Sequence, residues 1–154
     1  MAGEEKLGGE EELLRAMLET HWDKAQGRIS PSLFEGADIS VSRLSILNDR
    51  ELFPIFFRDL DKPGRLVAGA GQISVAAIID AGQSHADKPT ELWVTPKPET
   101  EIGKENPAHA EIMPKISRGL ARKLVAALRH PPLDASNYRV PAADATEGNE
   151  AEKA

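Results

Sequence analysis

Three short stretches of the sequence carry hydrogen-bonding side chains at every second position. These alternating pairs are Arg28 and Ser30, Ser40 and Ser42, and His109 and Glu111. Because alternate residues of a β-strand face the same side of a sheet, each pair is expected to share one face. A guanidinium, hydroxyls, an imidazole and a carboxylate can together bind an anion and move a proton. The pattern predicts a small polar pocket for an anionic ligand, and a sheet with one solvated face is the alternative.

The ligand-binding side chains of this pocket are predicted to be those of Arg28, Ser30, Ser40, Arg43 and His109. Arg43 differs from the others because it falls on the same side of its strand as Ile39 and Val41. An apolar face is a costly position for a cation unless the cation is paired or lies at the strand end.

The segment His109-Ala110-Glu111 resembles the H-x-E segment of zinc-dependent nucleoside and tRNA adenosine deaminases. That resemblance implies a histidine that ligates zinc and a glutamate that shuttles a proton. Those enzymes complete the zinc site with downstream cysteines, and zinc needs three protein ligands beside its water. This chain contains no cysteine, and His130 is the only later histidine. We therefore reject the deaminase interpretation and predict neither a metal site nor a cofactor.

Arg28, the Ser40-Val41-Ser42 stretch and Glu111 resemble, in their order, the arginine, serine-containing strand and late glutamate of ADP-ribosyltransferases. The resemblance implies that the arginine and serine hold NAD and that the glutamate orients the nucleophile on the ribose. A cation can neutralise a pyrophosphate, and a carboxylate can stabilise an oxocarbenium ion. The candidate catalytic residues of such a metal-independent enzyme are His109, Glu111, Arg28 and Ser42.

The Gly69-Ala70-Gly71 segment lies between a predicted strand and a predicted helix, where a dinucleotide-binding loop would lie. The full fingerprint has a third glycine, and this chain has Ser74 at that position. We therefore interpret the two glycines as part of a central strand pressed against a helix, with Ser74 as the helix cap.

The last predicted helix carries a cluster of basic residues that projects opposite its apolar stripe. These residues are Lys115, Arg118, Arg122 and Arg129. We predict that they form a partner surface, and a solvated face is the alternative. Another protein is the favoured partner, because aromatic residues make up only 5% of the chain and the pI is about 5.3. Nucleic-acid binding would favour a basic domain with stacking aromatic side chains.

Helices and strands must position these residues. Apolar periodicity predicts helices over residues 10–22, 49–60 (capped by Asn48 or Asp49), 75–81 and 114–129. Extended segments are predicted at 27–30, 39–44, 65–73, 92–95 and 108–112. Several links are too short for a parallel crossover. We therefore predict a single α+β domain over residues 10–130, with a mixed or mainly antiparallel sheet and flanking helices.

Composition limits the class of protein. The 154 residues are 40% hydrophobic and 29% charged, as in ordinary globular domains, and no stretch approaches a bilayer-spanning length. The net charge of −6 is concentrated in the two ends, where Glu, Gly and Ala prevail. We predict mobile acidic termini at 1–9 and 131–154, because such segments bury too little apolar surface to become ordered. The acidic N-terminus resembles no export signal.

A further resemblance rests on four segments, namely Arg28-Ile29-Ser30-Pro31-Ser32, Ile39-Ser40-Val41-Ser42-Arg43, Ser74-Val75-Ala76-Ala77-Ile78 and Asn106-Pro107-Ala108-His109-Ala110-Glu111-Ile112. Over roughly residues 20–130 the chain resembles a group of small bacterial proteins without a known activity. The resemblance implies a bacterial, cytoplasmic protein. From all of these observations we predict an accessory module that binds another protein. The alternative is a small enzyme that acts on a nucleotide-like substrate such as NAD.

Overall fold

The computed structural model describes residues 5–86, 88–101 and 103–139. Its helices are α1 Asp49–Leu60, α2 Val75–Gln83 and α3 Arg118–Ala126. Its strands are β1 Glu12–Leu18, β2 Trp22–Asp23, β3 Arg28–Ile29, β4 Ile39–Arg43, β5 Val67–Ser74, β6 Trp93–Pro96, β7 His109–Met113 and β8 Leu133–Asp134. Short 3₁₀ turns lie at Pro31–Leu33 and Ala135–Asn137.

Six strands form one sheet in the order β6-β7-β4-β1-β5-β8, and every neighbouring pair is antiparallel. The strands β2 and β3 form a separate antiparallel pair. The predicted α+β domain with an antiparallel sheet and flanking helices is therefore confirmed. The described helices include none with the length and apolar character needed to cross a bilayer.

The predicted helix over residues 10–22 is wrong, because this stretch contains the central strand β1. β1 pairs with β5 from Glu12 to Leu18 and with β4 at Leu13 and Leu14. Leu13 packs into the core on one side of the sheet, and Leu14 packs into the core on the other. A strand buried on both faces has a nearly continuous apolar run, and such a run also satisfies a helical period.

The sheet separates two apolar layers. One layer joins β1, β4, β6 and β7 to the helices α2 and α3. The other joins β1 and β5 to α1 and the C-terminal 3₁₀ turn, through the buried side chains of Leu14, Leu52, Phe53 and Ala135. Over β4 and β7, residues of the β6–β7 connection take the place of a helix. Asn106 bonds to Ser42 there, and the carbonyl of Glu105 accepts from Arg58 of α1.

The predicted second helix is confirmed as α1. Asn48 caps it, because its side chain accepts from the Glu51 amide while the Glu51 side chain accepts from the Asn48 amide. Pro54 lies within the helix, and Leu52, Phe53 and Phe56 form its buried face.

The last helix is shorter than predicted. It covers only Arg118–Ala126, with Ser117 as its N-cap. The residues before it are extended, because Ile116 exchanges both backbone hydrogen bonds with Gly36. Lys115 and Arg129 therefore lie outside the helix, so the four basic residues do not form one helical face.

The described parts of both termini, which were predicted to be mobile, contact the rest of the domain. The Leu7 amide donates to the Val94 carbonyl at 2.8 Å, and the Leu7 side chain is buried. At the other end, β8 adds to the sheet beside β5, and Tyr138 stacks on Phe53. Arg139 donates twice to Asp61. These contacts compensate for the ordering entropy. The predictions for residues 1–4 and 140–154 lie outside the described residues.

Candidate functional site

The structure divides the predicted pocket between two cavities. Ser40, Ser42 and His109 line a cavity of about 210 Å³ between α1 and the β4–β7 strands. Arg28 and Ser30 line a larger hollow of about 740 Å³ beside β2 and the start of β5. No described residue lines both cavities. The predicted convergence of all three polar strand faces is therefore wrong for the β3 face. We call the smaller cavity the Arg15 cavity, after the cation described below.

His109 is held by hydrogen bonds at both ring nitrogens. It lies on β7 opposite Ser42, on the face away from Ala110, and its exposed fraction is 9%. Nδ1 lies 2.8 Å from the Lys97 carbonyl oxygen, and Nε2 lies 3.0 Å from Ser40 Oγ. A carbonyl oxygen can only accept, so Nδ1 carries the proton in the neutral ring. Nε2 is then left to accept from the Ser40 hydroxyl.

A carboxylate lies near Nδ1, the ring nitrogen that also bonds to the Lys97 carbonyl. Glu99 Oε2 lies 3.8 Å from His109 Nδ1, beyond hydrogen-bond distance. The Glu99 backbone is fixed because it exchanges both of its hydrogen bonds with Asn106.

Arg15 contributes a half-buried cation to the lining of this cavity, and sequence reasoning missed it. The β1–β4 ladder covers only the pairs at Leu13 and Leu14, so the two strands separate beyond them. The Arg15 guanidinium enters this gap, where Nη1 donates to the Ser40 carbonyl at 3.0 Å and Nε donates to the Leu33 carbonyl at 2.9 Å. Burial lowers the pKa of Arg15 to about 10. In the described part of the chain no carboxylate lies within ion-pair distance of it.

Ser42 has a different partner from Ser40. It is buried, with an exposed fraction of 3%, and its Oγ accepts from Asn106 Nδ2 at 3.3 Å. Asn106 Oδ1 in turn accepts from the Ala108 amide at 3.0 Å. Among the described residues, no hydrogen bond joins the predicted catalytic candidate Ser42 to the imidazole, and Ser40, predicted only as a ligand-binding residue, has that hydrogen bond.

The rest of the lining of the Arg15 cavity is mostly apolar. It is formed by Leu14 and Ala16 of β1 and by Ile55, Phe56 and Leu60 of α1. Asp59 also lines it, but both of its carboxylate oxygens accept from Arg58. The cavity thus combines polar groups on the β4–β7 side with a hydrocarbon surface on the helix side, as small-molecule sites usually do.

Two other predicted site residues lie outside the Arg15 cavity. Arg43 forms an ion pair with Glu11 at 2.6 Å, which provides the partner that its apolar side of the strand requires. Its hydrogen bond holds the pKa of Glu11 below the usual range. Glu111 does not line the cavity. Its Oε1 lies 3.1 Å from Lys97 Nζ.

The side chains of Arg28 and Ser30 form hydrogen bonds with residues close to them in the chain. Arg28 donates to Gln26, two residues away, and Ser30 caps the turn at Pro31–Leu33. His21 lines the same hollow, and burial lowers its pKa. Its Nδ1 accepts from the Leu18 amide at 3.0 Å. The proposed ADP-ribosyltransferase-like set of Arg28, Ser42, His109 and Glu111 is therefore not gathered around one cleft.

The predicted basic partner surface is partly neutralised. Arg118 pairs with Glu35 at 3.0 Å, and Arg129 pairs with Glu12 at 2.6 Å. Lys115 and Arg122 are exposed. The surface has less positive charge than the sequence alone suggests, since exposed ion pairs screen it.

The Arg15 signal was present in the sequence but was misassigned. In the Leu13-Leu14-Arg15-Ala16-Met17-Leu18 run, a single cation interrupts residues that are apolar at both parities. A helix would place Arg15 on a solvated polar face, whereas a central strand buries it. Glu99 and the Lys97 carbonyl reach the imidazole, and Asn106 reaches Ser42, from a connection without a periodic pattern, so none of them carries a sequence signal.

The chain matches no family model, no curated protein and no solved structure. Among the described residues, no three His, Asp or Glu side chains are grouped so that they could hold a metal ion. The lining of the Arg15 cavity brings together a half-buried cation, two hydroxyls, an amide, an oriented imidazole and the carboxylates of Asp59 and Glu99.

Proposed function

We propose that the protein binds a small anionic molecule, with a carboxylate or phosphate group, in the Arg15 cavity. The observation that carries this proposal is the half-buried Arg15 guanidinium, which has no counter-ion among the described residues. A desolvated cation gains most from an anion in the same low-dielectric site, and guanidinium N–H groups match the geometry of carboxylate and phosphate oxygens. Two N–H groups of Arg15 bond to backbone carbonyls, and the others have no protein partner in the described part of the chain.

The other lining groups define the rest of the ligand. Ser40, Ser42 and Asn106 supply polar contacts, while Ile55 and Phe56 favour a hydrocarbon portion. The volume of about 210 Å³ is below the roughly 300 Å³ of common ligand pockets, so a small molecule or one end of a larger one fits.

The test is a titration with inorganic phosphate and with butyrate, followed by amide chemical shifts and by thermal unfolding. Binding shifts the amides of Ala16, Ser40 and Ser42, and raises Tm in the measure set by the ligand concentration relative to Kd. Arg15→Met abolishes both effects. The matched control is Arg28→Met, which removes an arginine from the other cavity and leaves both effects in place.

The proposal is overturned if neither anion shifts these three amides in the wild-type protein. It is also overturned if Arg28→Met abolishes binding and Arg15→Met does not. The chemical-shift measurement needs no variant, so it decides the matter even if Arg15→Met does not fold.

A protein partner, a bacterial origin and a cytoplasmic location stay predictions from the sequence. The acidic ends and the exposed Lys115 and Arg122 support a protein partner. The ion pairs of Arg118 and Arg129 weaken that support, so we place the anion-binding function first.

A further inference from the structure

We propose that Ser40 is a nucleophile activated by His109, and that the Arg15 cavity hydrolyses a small carboxylic ester that also carries an anionic group. This inference deepens the proposed function and rests on it for the substrate class. It is carried by hydrogen bonds that link a hydroxyl, an imidazole and a carbonyl in series.

The first link is the contact between nucleophile and base. Ser40 Oγ lies 3.0 Å from His109 Nε2, within the distance at which a hydroxyl proton passes to an imidazole during attack. The two residues lie on neighbouring strands, β4 and β7, so the ladder between the strands fixes their spacing. Sites on strands hold such geometry more precisely than sites on loops do.

The second link orients the base. The Lys97 carbonyl, 2.8 Å from His109 Nδ1, keeps the proton on Nδ1 and leaves Nε2 as the acceptor. The Glu99 carboxylate, 3.8 Å from Nδ1, favours the imidazolium that forms when Nε2 takes the serine proton. Lys97 and Glu99 are therefore positioning residues, because they act on the substrate only through His109.

The third observation is the place of Arg15. Its Nη1 bonds to the carbonyl of Ser40, the same residue that supplies the nucleophile. Arg15 and Ser40 line the same cavity, so an anion that pairs with guanidinium N–H groups there shares that cavity with the Ser40 side chain. A substrate with an ester close to its carboxylate or phosphate thus has its ester carbonyl held near Ser40 Oγ, and this positioning lowers the entropic barrier to attack.

The reaction balances without a further reagent except water. Ser40 Oγ bonds to the ester carbonyl carbon while its proton moves to His109 Nε2. The bond between that carbon and the alcohol oxygen breaks, and Nε2 returns the proton to the departing alcohol. Water then attacks the acyl-serine, gives a proton to Nε2, and releases the acid as Ser40 recovers its hydroxyl hydrogen.

Reaction with diisopropyl fluorophosphate tests the nucleophile. This reagent phosphorylates activated serines with loss of fluoride, so intact-mass spectrometry and peptide mapping locate the adduct. We expect a single adduct on Ser40. Ser40→Ala removes it, and His109→Gln slows its formation by about 10²–10⁴-fold, the usual contribution of a general base.

Ser45 provides the matched control. It is more exposed than Ser40, but its Oγ donates to the Glu11 carboxylate and not to an imidazole. Ser45→Ala therefore leaves labelling unchanged, whereas labelling by exposure alone would modify Ser45 first. Hydrolysis of monomethyl succinate, measured by proton release, is lost in Ser40→Ala and kept in Ser45→Ala.

An adduct on Ser45, an adduct spread over several serines, or a His109→Gln rate within about twofold of wild type overturns the inference. Peptide mapping of the wild-type protein gives this answer even where a variant does not fold. The anion titration separates the two proposals. Phosphate binding without a Ser40 adduct overturns only the nucleophile, and a Ser40 adduct without phosphate or butyrate binding overturns only the anion-binding role of Arg15 and the substrate class derived from it.

Discussion

The described C-terminal segment fastens α1, the helix that walls the Arg15 cavity. The Tyr138 ring stacks on Phe53 of α1 with ring centroids 4.0 Å apart and an interplanar angle of 5°. Its hydroxyl donates to the Asp49 carboxylate at the start of the same helix. Removing the Tyr138 side chain should therefore loosen the helix that completes the cavity.

The size of this effect follows from the contacts. A stacked aromatic pair contributes about 0.5–1.5 kcal/mol, and a hydrogen bond to a charged group contributes about 1.5–3 kcal/mol. Because Tyr138 and Asp49 are only half-buried, solvent reduces the second contribution. We expect Tyr138→Ala to lower the free energy of unfolding by about 2–4 kcal/mol, and Tyr138→Phe, which keeps the stacking, by about 1–2 kcal/mol.

Urea unfolding followed by circular dichroism measures both variants, and thermal unfolding should show a fall in Tm of roughly 4 °C per kcal/mol. Asp49→Asn serves as the control for the hydrogen bond, and it should add little to Tyr138→Phe in the double variant. The opposite outcome is a free energy of unfolding of Tyr138→Ala within about 0.5 kcal/mol of the wild-type value, as for a neutral surface substitution. That result would show that the C-terminal segment does not pack on α1.

Tyr138 also allows a direct check by titration, since it is the only tyrosine in the chain. Burial, and then the hydrogen bond to Asp49, raise its pKa to about 12 from the ordinary value of 10.0. In a pH titration, phenolate absorbance should therefore appear at a higher pH in the folded protein than in the protein unfolded by urea. Because the raised pKa favours the neutral folded form, its stabilising effect is complete below pH 10.0 and disappears as the pH rises towards 12.

Two further predictions concern acid stability and strand packing. The hydrogen bonds from Arg139 hold the pKa of Asp61 below its usual range, so this stabilisation is present above the unfolded pKa and lost as the pH falls through the folded value. Asp61→Asn should therefore unfold more easily in urea at neutral pH and show a flatter loss of stability below about pH 4; an unchanged acid slope would contradict the pairing. In Gly69→Ala the new methyl group would clash with a backbone carbonyl of β8 and with the Trp22 ring. We therefore expect the free energy of unfolding to fall by about 1–3 kcal/mol. In Gly71→Ala the nearest atoms to the new methyl group belong to a flexible leucine side chain, so the free energy of unfolding should fall less. An equal fall for Gly69→Ala and Gly71→Ala in urea unfolding would refute this explanation.

The polar faces of β4 and β7 could be predicted from the sequence, because strand alternation is a local property. The pattern at Ser40, Ser42 and His109 correctly placed these three side chains on one side of the sheet. It could not show which serine meets the imidazole. That choice depends on the register between β4 and β7 and on Asn106, whose side chain donates a hydrogen bond to Ser42.

Arg28 shows why a shared pattern does not guarantee a shared site. It alternates with Ser30 as the other pairs do, yet its strand belongs to the small β2–β3 pair and not to the main sheet. Strand pairing joins segments distant in the chain, and no local periodicity encodes it.

By itself, the sequence determined the α+β class, the capped helix α1 and the absence of any cysteine chemistry, because these depend on composition, on helix-capping residues and on short-range periodicity. Only the tertiary structure decided that residues 12–18 form the central strand, since burial on both faces requires partners on both sides. The same long-range pairing brought the Arg15 guanidinium to the Ser40 carbonyl and the Lys97 carbonyl to His109. The arrangement of charge and hydrogen bonds in the cavity arises from contacts between segments far apart in the chain.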